Sequence, residues 1–369
     1  MNNPRLLLCT GTLLAAAQSA AQTVPQPALA CTQISDPAAR LACYDRTLGA
    51  QLPPTQALPD SAEAKPAIDL EKSIEQSQEQ RSRKSCSPIP AAPTQPQAYT
   101  PLSLAYDLDV NHETGILTAR AHRPMYLLPG WYNSAPNRNP SSPEHTSAIK
   151  EQQNQNHIEA KMQISFKTKL LQDLFGTNAD LWFGYTQVSH WQVYQGSMSS
   201  PFRNTDYEPE IFLTQPVKAS LPGGGSLRML GIGAVHQSNG QSDPISRSWN
   251  RVYAMAGMEW GKLTVIPRLW WRLPEKSGDD DNSDINRYMG YGDLQLHYRL
   301  NNRHSLGALA RYNPSSGRGG LQLDYTFPIA GRLKGYVQGF HGYGESLLDY
   351  NHKHNSIGIG VMLNDWDGL

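Results

Sequence analysis

The sequence predicts an all-β protein: a 12-stranded antiparallel transmembrane β-barrel with a short N-terminal periplasmic extension. Three observations predict this fold. The chain begins with an export signal, and it contains no later run of about 18 apolar residues that could form a transmembrane helix. After Tyr99 it consists largely of short segments in which apolar and polar residues alternate.

The export signal covers residues 1–21. Arg5 precedes an apolar stretch that runs from Leu6 to about Ala17, and small residues follow at Ser19, Ala20 and Ala21. The apolar stretch is shorter than the roughly 20 helical residues that span a bilayer, and small residues are typical of a cleavage site. Residues 1–21 are therefore interpreted as a secretory signal peptide, which makes the mature protein an exported one.

The next segments are short and do not resemble a membrane domain. Residues 22–50 form a small cysteine-bearing module in which Cys31 and Cys43 flank a short helix-like segment, so that a disulfide between them is plausible after export. Residues 51–98 are rich in Pro, Gln and Ser and are predicted to be a linker. The module is expected to be periplasmic, and residues 99–369 form the barrel.

Composition excludes one class of partner. The 369 residues carry zero formal net charge, and 17% of them are charged. Because binding to nucleic acid requires a basic surface that neutralises phosphates, no nucleic-acid partner is expected.

The alternation that predicts the barrel is clearest in residues 293–300, where Asp, Gln, His and Arg alternate with Leu and Tyr. About twelve segments have this pattern, and each is long enough for the 9–11 residues of a tilted membrane-spanning strand. The segments lie near 116–131, 157–170, 181–194, 207–219, 226–238, 249–260, 262–273, 286–300, 303–313, 318–328, 332–344 and 355–364. Aromatic residues near segment ends are expected to form a girdle: Trp131, Tyr132, Trp182, Trp191, Trp260, Trp270 and Trp271. A soluble β-sandwich is the alternative.

One segment and its turn combine residues that could perform chemistry. His236 and Ser238 are two residues apart, so both side chains project from one face of a strand. The turn signals NGQSDP follow, and a reversal centred on Asp243 would set His236 opposite Asn250. Since cross-strand partners have Cβ atoms about 4.5–5.5 Å apart, Asn250 could accept a hydrogen bond from the imidazole. A nucleophile, a base and an orienting residue are thereby predicted.

The environment of these residues indicates a lipid substrate and a hard cation. Ile232 and Ala234 share the face of His236, which predicts that this face meets lipid rather than the barrel interior. A lipid ester is then the expected substrate. Oxygen ligands of the kind that calcium prefers follow nearby: Asp243, Ser246, Asp280, Asp281 and Asp284.

Several longer motifs resemble one known family. They are YTQVSHWQVY, SSPFRNTDYEPEIF, HQSNGQSDPISRSWNRVY, INRYMGYG, GYGESLLDYN and GVMLND. Together they span roughly residues 100–365, and in this order they resemble the bacterial outer membrane phospholipase A family. The resemblance implies a 12-stranded barrel with its active site on the lipid-facing surface. It also implies calcium-dependent hydrolysis of phospholipid and lysophospholipid acyl esters, activated by reversible homodimerisation.

Carried over position by position, the resemblance implies that Ser238 is the nucleophile, His236 the base and Asn250 its orienting partner. The Gly240 amide and a calcium-bound water would make the oxyanion hole.

The resemblance also implies two calcium sites and a dimer contact. The catalytic calcium would bind the carbonyl of Gln241, the hydroxyl of Ser246 and, across the dimer, the carbonyl of Ser199. A second site, compatible with the monomer, would use Asp243 and Asp281. Gln187 matches a polar position of the dimer interface inside the membrane.

Some positions depart from the family pattern. Gln237 and Gln241 replace an Asp and an Arg, and the chain ends NDWDGL instead of on an aromatic residue. The triad is unaffected, whereas calcium affinity could differ. Two other functions stay open on the sequence: a non-catalytic structural or passive-diffusion barrel, and an outer-membrane protease with an acidic site at the barrel mouth.

Overall fold

The computed structural model describes residues 33–34, 36, 39, 43, 68–69, 100–109, 115–145, 155–196, 202–276, 278, 280–331 and 333–364. The chain divides into two compact units, residues 1–58 and 59–369. In the first unit Cys43 is disulfide-bonded, while its predicted partner Cys31 lies outside the described residues. The predicted signal peptide and nearly all of the linker also lie outside them.

The second unit contains a closed antiparallel barrel of twelve strands, which confirms the predicted fold. Two short strands outside the ring come first, β1 (Ile68–Asp69) and β2 (Ala119–Ala121). The twelve strands of the ring are β3 (Met125–Asn133), β4 (Ile158–Leu174), β5 (Ala179–Trp191), β6 (Phe202–Leu221), β7 (Gly225–Ser238), β8 (Ser248–Trp260), β9 (Leu263–Arg272), β10 (Gly292–Arg299), β11 (Ser305–Asn313), β12 (Arg318–Ala330), β13 (Leu333–Gly342) and β14 (His354–Asn364). Each strand of the ring pairs with the next in the chain, and the pairing of β14 with β3 closes it. Of the two outside strands, β1 pairs with β6 and β2 with β4.

The two faces of the barrel have opposite character. Large apolar side chains are exposed on the outer face, for example Ile232 and Leu269, each 61% exposed. The inner face buries ion pairs such as Arg268–Asp293, whose atoms are 2.6 Å apart. A soluble sandwich would expose its charges and bury its apolar residues, so this inversion excludes the soluble alternative and indicates that lipid surrounds the barrel.

A short helix, α1 (Pro101–Tyr106), packs inside the barrel near one end. The Thr100 hydroxyl caps it by accepting a hydrogen bond from the Ser103 amide at 3.2 Å, and Pro101 occupies a favourable first-turn position. Leu102 and Tyr106 of α1 join the buried apolar cluster on the inner face. In the part of the chain that the structure describes, no helix is both long enough and apolar enough to span a bilayer.

Two predicted strand segments differ from the observed strands. Residues 116–131 are interrupted, because β2 ends at Ala121 and β3 begins at Met125. Residues 286–300 begin with a helical turn, α2 (Asn286–Met289), rather than with strand. Ile285 and Met289 are four residues apart and both buried, so helical packing overrides the local alternation there.

The predicted aromatic girdle is wrong for three tryptophans. Trp131, Trp182 and Trp270 are each at most 3% exposed and point into the barrel. There they contact polar and charged neighbours: Lys161 lies 4.2 Å from the ring centroid of Trp131, and the Trp182 indole donates to Thr214. Tyr132 and Trp271 are 46% and 61% exposed on the outer face, as expected for girdle residues.

Candidate active site

The candidate site lies where β7 ends and β8 begins. In the ladder between these strands His236 pairs with Asn250 and Ser238 pairs with Ser248, which is the register that a reversal centred on Asp243 predicts. Ile232 and Val252 of the same outward parity are exposed, so His236, Ser238 and Asn250 face away from the barrel interior. The three predicted residues are therefore brought together on the outer wall.

Hydrogen bonds define the orientation of the imidazole. His236 Nδ1 lies 2.8 Å from Asn250 Oδ1, and Asn250 Nδ2 donates to Glu275 Oε1 at 3.0 Å. A carboxylate can only accept, so Nδ2 of the amide must face Glu275 and Oδ1 must face the imidazole. His236 consequently carries its hydrogen on Nδ1, which leaves the lone pair of Nε2 available as a base for the hydroxyl on the same strand face.

A tight turn follows Ser238 directly. Asn239 is buried and stabilises the turn with three hydrogen bonds. Its backbone amide donates to the Arg247 carbonyl at 2.9 Å. Its side-chain Oδ1 accepts from the backbone amide of Arg247 at 2.9 Å and from that of Gln241 at 3.3 Å. Gly240, which lies between Asn239 and Gln241 in the chain, has φ +61°. A Cβ there would lie 3.0 Å from Tyr207, so both the backbone conformation and the close approach favour glycine.

Three of the predicted oxygen ligands converge next to this turn. The Ser246 hydroxyl donates to Asp281 Oδ2 at 2.5 Å. His145 Nε2 lies 3.4 Å from Asp281 Oδ1 and 3.5 Å from Asp243 Oδ1, and so joins the two carboxylates. Hydroxyl and carboxylate oxygens suit a hard cation such as calcium. Gln241, the other predicted ligand described by the structure, is an exposed residue of the preceding turn. The oxygens of this set thus suit calcium, whereas the His145 nitrogen is not a donor that a hard cation prefers.

The two other predicted acidic ligands are engaged elsewhere. Asp280 accepts a hydrogen bond from Arg272 Nη2 at 2.5 Å, and Asp284 accepts one from the Tyr350 hydroxyl at 2.6 Å. The first of these bonds ties the segment after β9 to the strand end, and the Ser248 amide donates to Asn282 Oδ1 at 3.0 Å. Asp280 and Asp284 therefore hold the loop in place rather than join the oxygen cluster.

The predicted dimer residue Gln187 lies on the outer face of β5. Its Oε1 accepts from the Tyr185 hydroxyl at 2.9 Å, and its Nε2 donates to the Ser189 hydroxyl at 3.3 Å. Tyr207 on β6 pairs with Gln187 on one side and with Ser238 on the other. Gln187 is thus two strands from Ser238, roughly 10 Å at the usual strand spacing. Ser199 lies outside the described residues.

Three residues of the site were missed by the sequence reasoning: Asn239, His145 and Glu275. Asn239 sits in the turn motif, where Asn is expected to bond to nearby backbone, so turn chemistry could have indicated it. Glu275 continues the outward parity of Trp271 and Leu273 past the end of β9, a signal available only once that strand's register is known. His145 comes from a distant loop, and nothing in the sequence marks it.

Fold and site together define a class: an outer-membrane β-barrel that carries a hydrolase-like group of side chains on its outer wall. The family model described as Phospholipase A1 matches residues 102–363. The chain belongs to this family, and thereby to a family of ester hydrolases.

Relatives and solved structures agree with this assignment. The chain is 56% identical over 377 residues to a putative phospholipase A1 of Neisseria meningitidis serogroup B, which covers all of this chain and 97% of the relative. It is 42% identical to the phospholipase A1 of Escherichia coli K12 over 56% of this chain and 70% of that protein.

Two solved structures superpose on the barrel. Outer membrane phospholipase A from Escherichia coli matches with a TM-score of 0.61 and 37% identity over 68% of this chain and 99% of that one. The calcium-bound dimer of the Salmonella typhi outer membrane phospholipase matches with a TM-score of 0.62 and 36% identity, over 69% of this chain and 95% of that one.

Proposed function

We propose that the protein hydrolyses the acyl esters, at sn-1 and sn-2, of phospholipids and lysophospholipids in the outer membrane. Ser238 is the nucleophile, His236 the base and Asn250 the orienting residue. The observation that carries the proposal is the 2.8 Å bond between His236 Nδ1 and Asn250 Oδ1 on the lipid-facing wall, with Ser238 on the same strand face. Family membership supports phospholipid as the substrate class.

The reaction follows the usual order of acyl transfer. His236 Nε2 takes the proton of the Ser238 hydroxyl as its oxygen attacks the acyl carbonyl carbon, and the Gly240 amide donates to the oxyanion that forms. The imidazolium then returns the proton to the departing glycerol oxygen, leaving the acyl group on Ser238. Water, deprotonated by the same imidazole, attacks this ester, and the imidazolium returns that proton to the Ser238 oxygen as the fatty acid is released.

Calcium is proposed as the cofactor, because the converging oxygens suit it and a relative is a calcium-bound dimer. The Gln241 carbonyl, the Ser246 hydroxyl and the Ser199 carbonyl of a second copy would hold the catalytic ion, and Asp243 with Asp281 would hold a second one. When bound there, calcium supplies positive charge beside the developing oxyanion.

Reversible homodimerisation is proposed as the switch. Gln187 places a half-buried polar amide on a lipid-facing wall, where a further hydrogen bond to a second copy is more favourable than contact with acyl chains. Its position two strands from Ser238 would bring the second barrel beside the site.

The test replaces Ser238 by alanine in the full-length protein in detergent micelles with calcium. Ser238→Ala is expected to lower phospholipid hydrolysis at least about 1000-fold, since removal of a nucleophile has effects of this size or larger. Ser248→Ala is the matched control, because Ser248 is its cross-strand partner and shares its outward parity. Both variants should keep the heat-modifiable electrophoretic mobility of a folded barrel. Unchanged hydrolysis in Ser238→Ala, or equal loss in both, would refute the mechanism.

A further inference from the structure

A carboxylate stands behind the amide of the proposed triad. Glu275 Oε1 accepts from Asn250 Nδ2 at 3.0 Å, and the Glu275 side chain is only 15% exposed. The opposite end of the same amide faces His236 Nδ1 at 2.8 Å. Carboxylate, amide and imidazole therefore form one hydrogen-bonded row along the outer wall.

Backbone pairing brings Glu275 to this position. The Leu273 amide donates to the Asn250 carbonyl at 2.8 Å, one step beyond the last pair of the β8–β9 ladder. Trp271 and Leu273 are exposed on the outer face, and Glu275 is the next residue of that parity. The contact is thus made by a segment whose backbone is already fixed against Asn250, not by the tip of a free loop.

Arg272, a cation beside Glu275, is occupied by other partners. Arg272 Nη2 lies 4.0 Å from Glu275 Oε2 but 2.5 Å from Asp280 Oδ1, and Arg272 Nη1 donates to the Ser283 carbonyl. Burial raises the pKa of Glu275, and the charges on Asp280 and Asp281 raise it further, while the hydrogen bond from Asn250 and the charge on Arg272 act in the opposite direction. The ionised carboxylate is poorly hydrated, so its interaction with the Asn250 amide is stronger than it would be in water.

In the proposed mechanism the residue that orients His236 is uncharged, so it supplies no negative charge to stabilise the imidazolium. When His236 takes the proton from Ser238 it becomes a cation, and a neutral amide stabilises that cation less than a carboxylate does. Hydrogen bonds in a row polarise one another, and a bond to an ionised acceptor is roughly twice as strong as a neutral one. A negative charge at the far end of the row therefore acts on the imidazole through the amide.

We propose that Glu275 is a positioning residue for the hydrolysis. It holds the Asn250 amide with its oxygen towards His236, and it supplies through that amide the negative charge that Asn250 lacks. The inference rests on the proposed function, in which His236 is the base.

The test is a double-mutant comparison in micelles with saturating calcium. Glu275→Gln keeps an acceptor for Asn250 Nδ2 and loses the charge, so kcat should fall about 5- to 10-fold with KM unchanged. Glu275→Ala removes both the acceptor and the charge, so kcat should fall further. In the Asn250→Asp background two carboxylates would face each other, so the same Glu275→Gln change should raise kcat instead.

Three outcomes overturn the inference: unchanged kcat in Glu275→Gln, a similar loss in both backgrounds, or a loss confined to KM. If Glu275 only held its loop in place, Glu275→Gln would lower kcat similarly in both backgrounds, because the loop is the same in each. Glu144→Gln is the control for removing one negative charge nearby, since Glu144 contacts the Ser283 amide at 3.4 Å and is not in the row. It should leave kcat unchanged.

A second measurement is independent of turnover. The imidazole ¹⁵N signals of His236 should show hydrogen on Nδ1 in the wild type and a mixture of tautomers in Glu275→Ala, where the amide is free to flip. Identical tautomer populations would overturn the inference even if the wild type hydrolysed nothing. A wild type without hydrolysis would instead refute the proposed function, so the two failures are distinguishable.

Discussion

Gly240→Ala should separate the catalytic role of the turn from its role in stability. At φ +61° an alanine is strained by about 1–2 kcal/mol, and its Cβ would lie 3.0 Å from the Tyr207 ring. The turn can relieve this strain by rotating the peptide, but rotation moves the amide that is proposed to donate to the oxyanion. Because losing one such donor lowers kcat by about 100- to 1000-fold elsewhere, we expect a loss of at least about 100-fold here.

Gly261→Ala is the matched control. Gly261 has φ +57° and lies in the turn between β8 and β9, where an added Cβ would have no other atom within 4 Å. Both variants should lower the free energy of unfolding in urea by about 1–2 kcal/mol, whereas only Gly240→Ala should lose hydrolysis in micelles. Equal activity in the two variants, or equal loss in both, would refute the assignment of the Gly240 amide to the oxyanion.

Three further predictions concern the cation, the dimer and the interior. Asp281→Asn should raise the calcium concentration for half-maximal hydrolysis by about tenfold, because ligand charge sets the affinity of such sites; Asp280→Asn, whose carboxylate is held by Arg272, should shift it much less, and equal shifts would contradict the site. Gln187→Ala should weaken the dimer by about 1 kcal/mol, or about fivefold in dissociation constant, as measured by energy transfer between labelled copies in micelles. Gln215→Ala, on the outer face of neighbouring β6, is its control, and identical dimerisation in Gln187→Ala and the wild type would refute the contact. Buried ion pairs inside the barrel should keep bilayer conductance far below that of an open porin, and steady large conductance would favour a passive-diffusion function.

The residues that the sequence could place are those governed by local rules. Alternation determines which face each side chain of β7 occupies, and turn chemistry around Asp243 determines the register, so the His236–Asn250 pair was predictable. Both rules act over about fifteen residues. They are sufficient to predict the pairing within one hairpin and the number of strands in the barrel.

The residues that the sequence could not place depend on distant segments. Glu275 reaches Asn250 only because the chain after β9 continues the ladder, and His145 reaches Asp281 across 136 positions. The buried tryptophans show the same limit: position near a strand end does not say which face an indole occupies. Packing in the interior decides it, as for Trp182 against Thr214.

The register of the β7–β8 hairpin makes catalysis a sensitive reporter of membrane insertion and refolding. A slip of one residue would turn His236 or Asn250 towards the interior ion pairs and separate them, although the ring could still close and resist detergent. Molecules trapped in such a state would migrate as folded barrels yet hydrolyse nothing. The specific activity of a refolded preparation should therefore be proportional to the fraction of molecules that have the correct β7–β8 register. Electrophoretic mobility alone cannot measure that fraction.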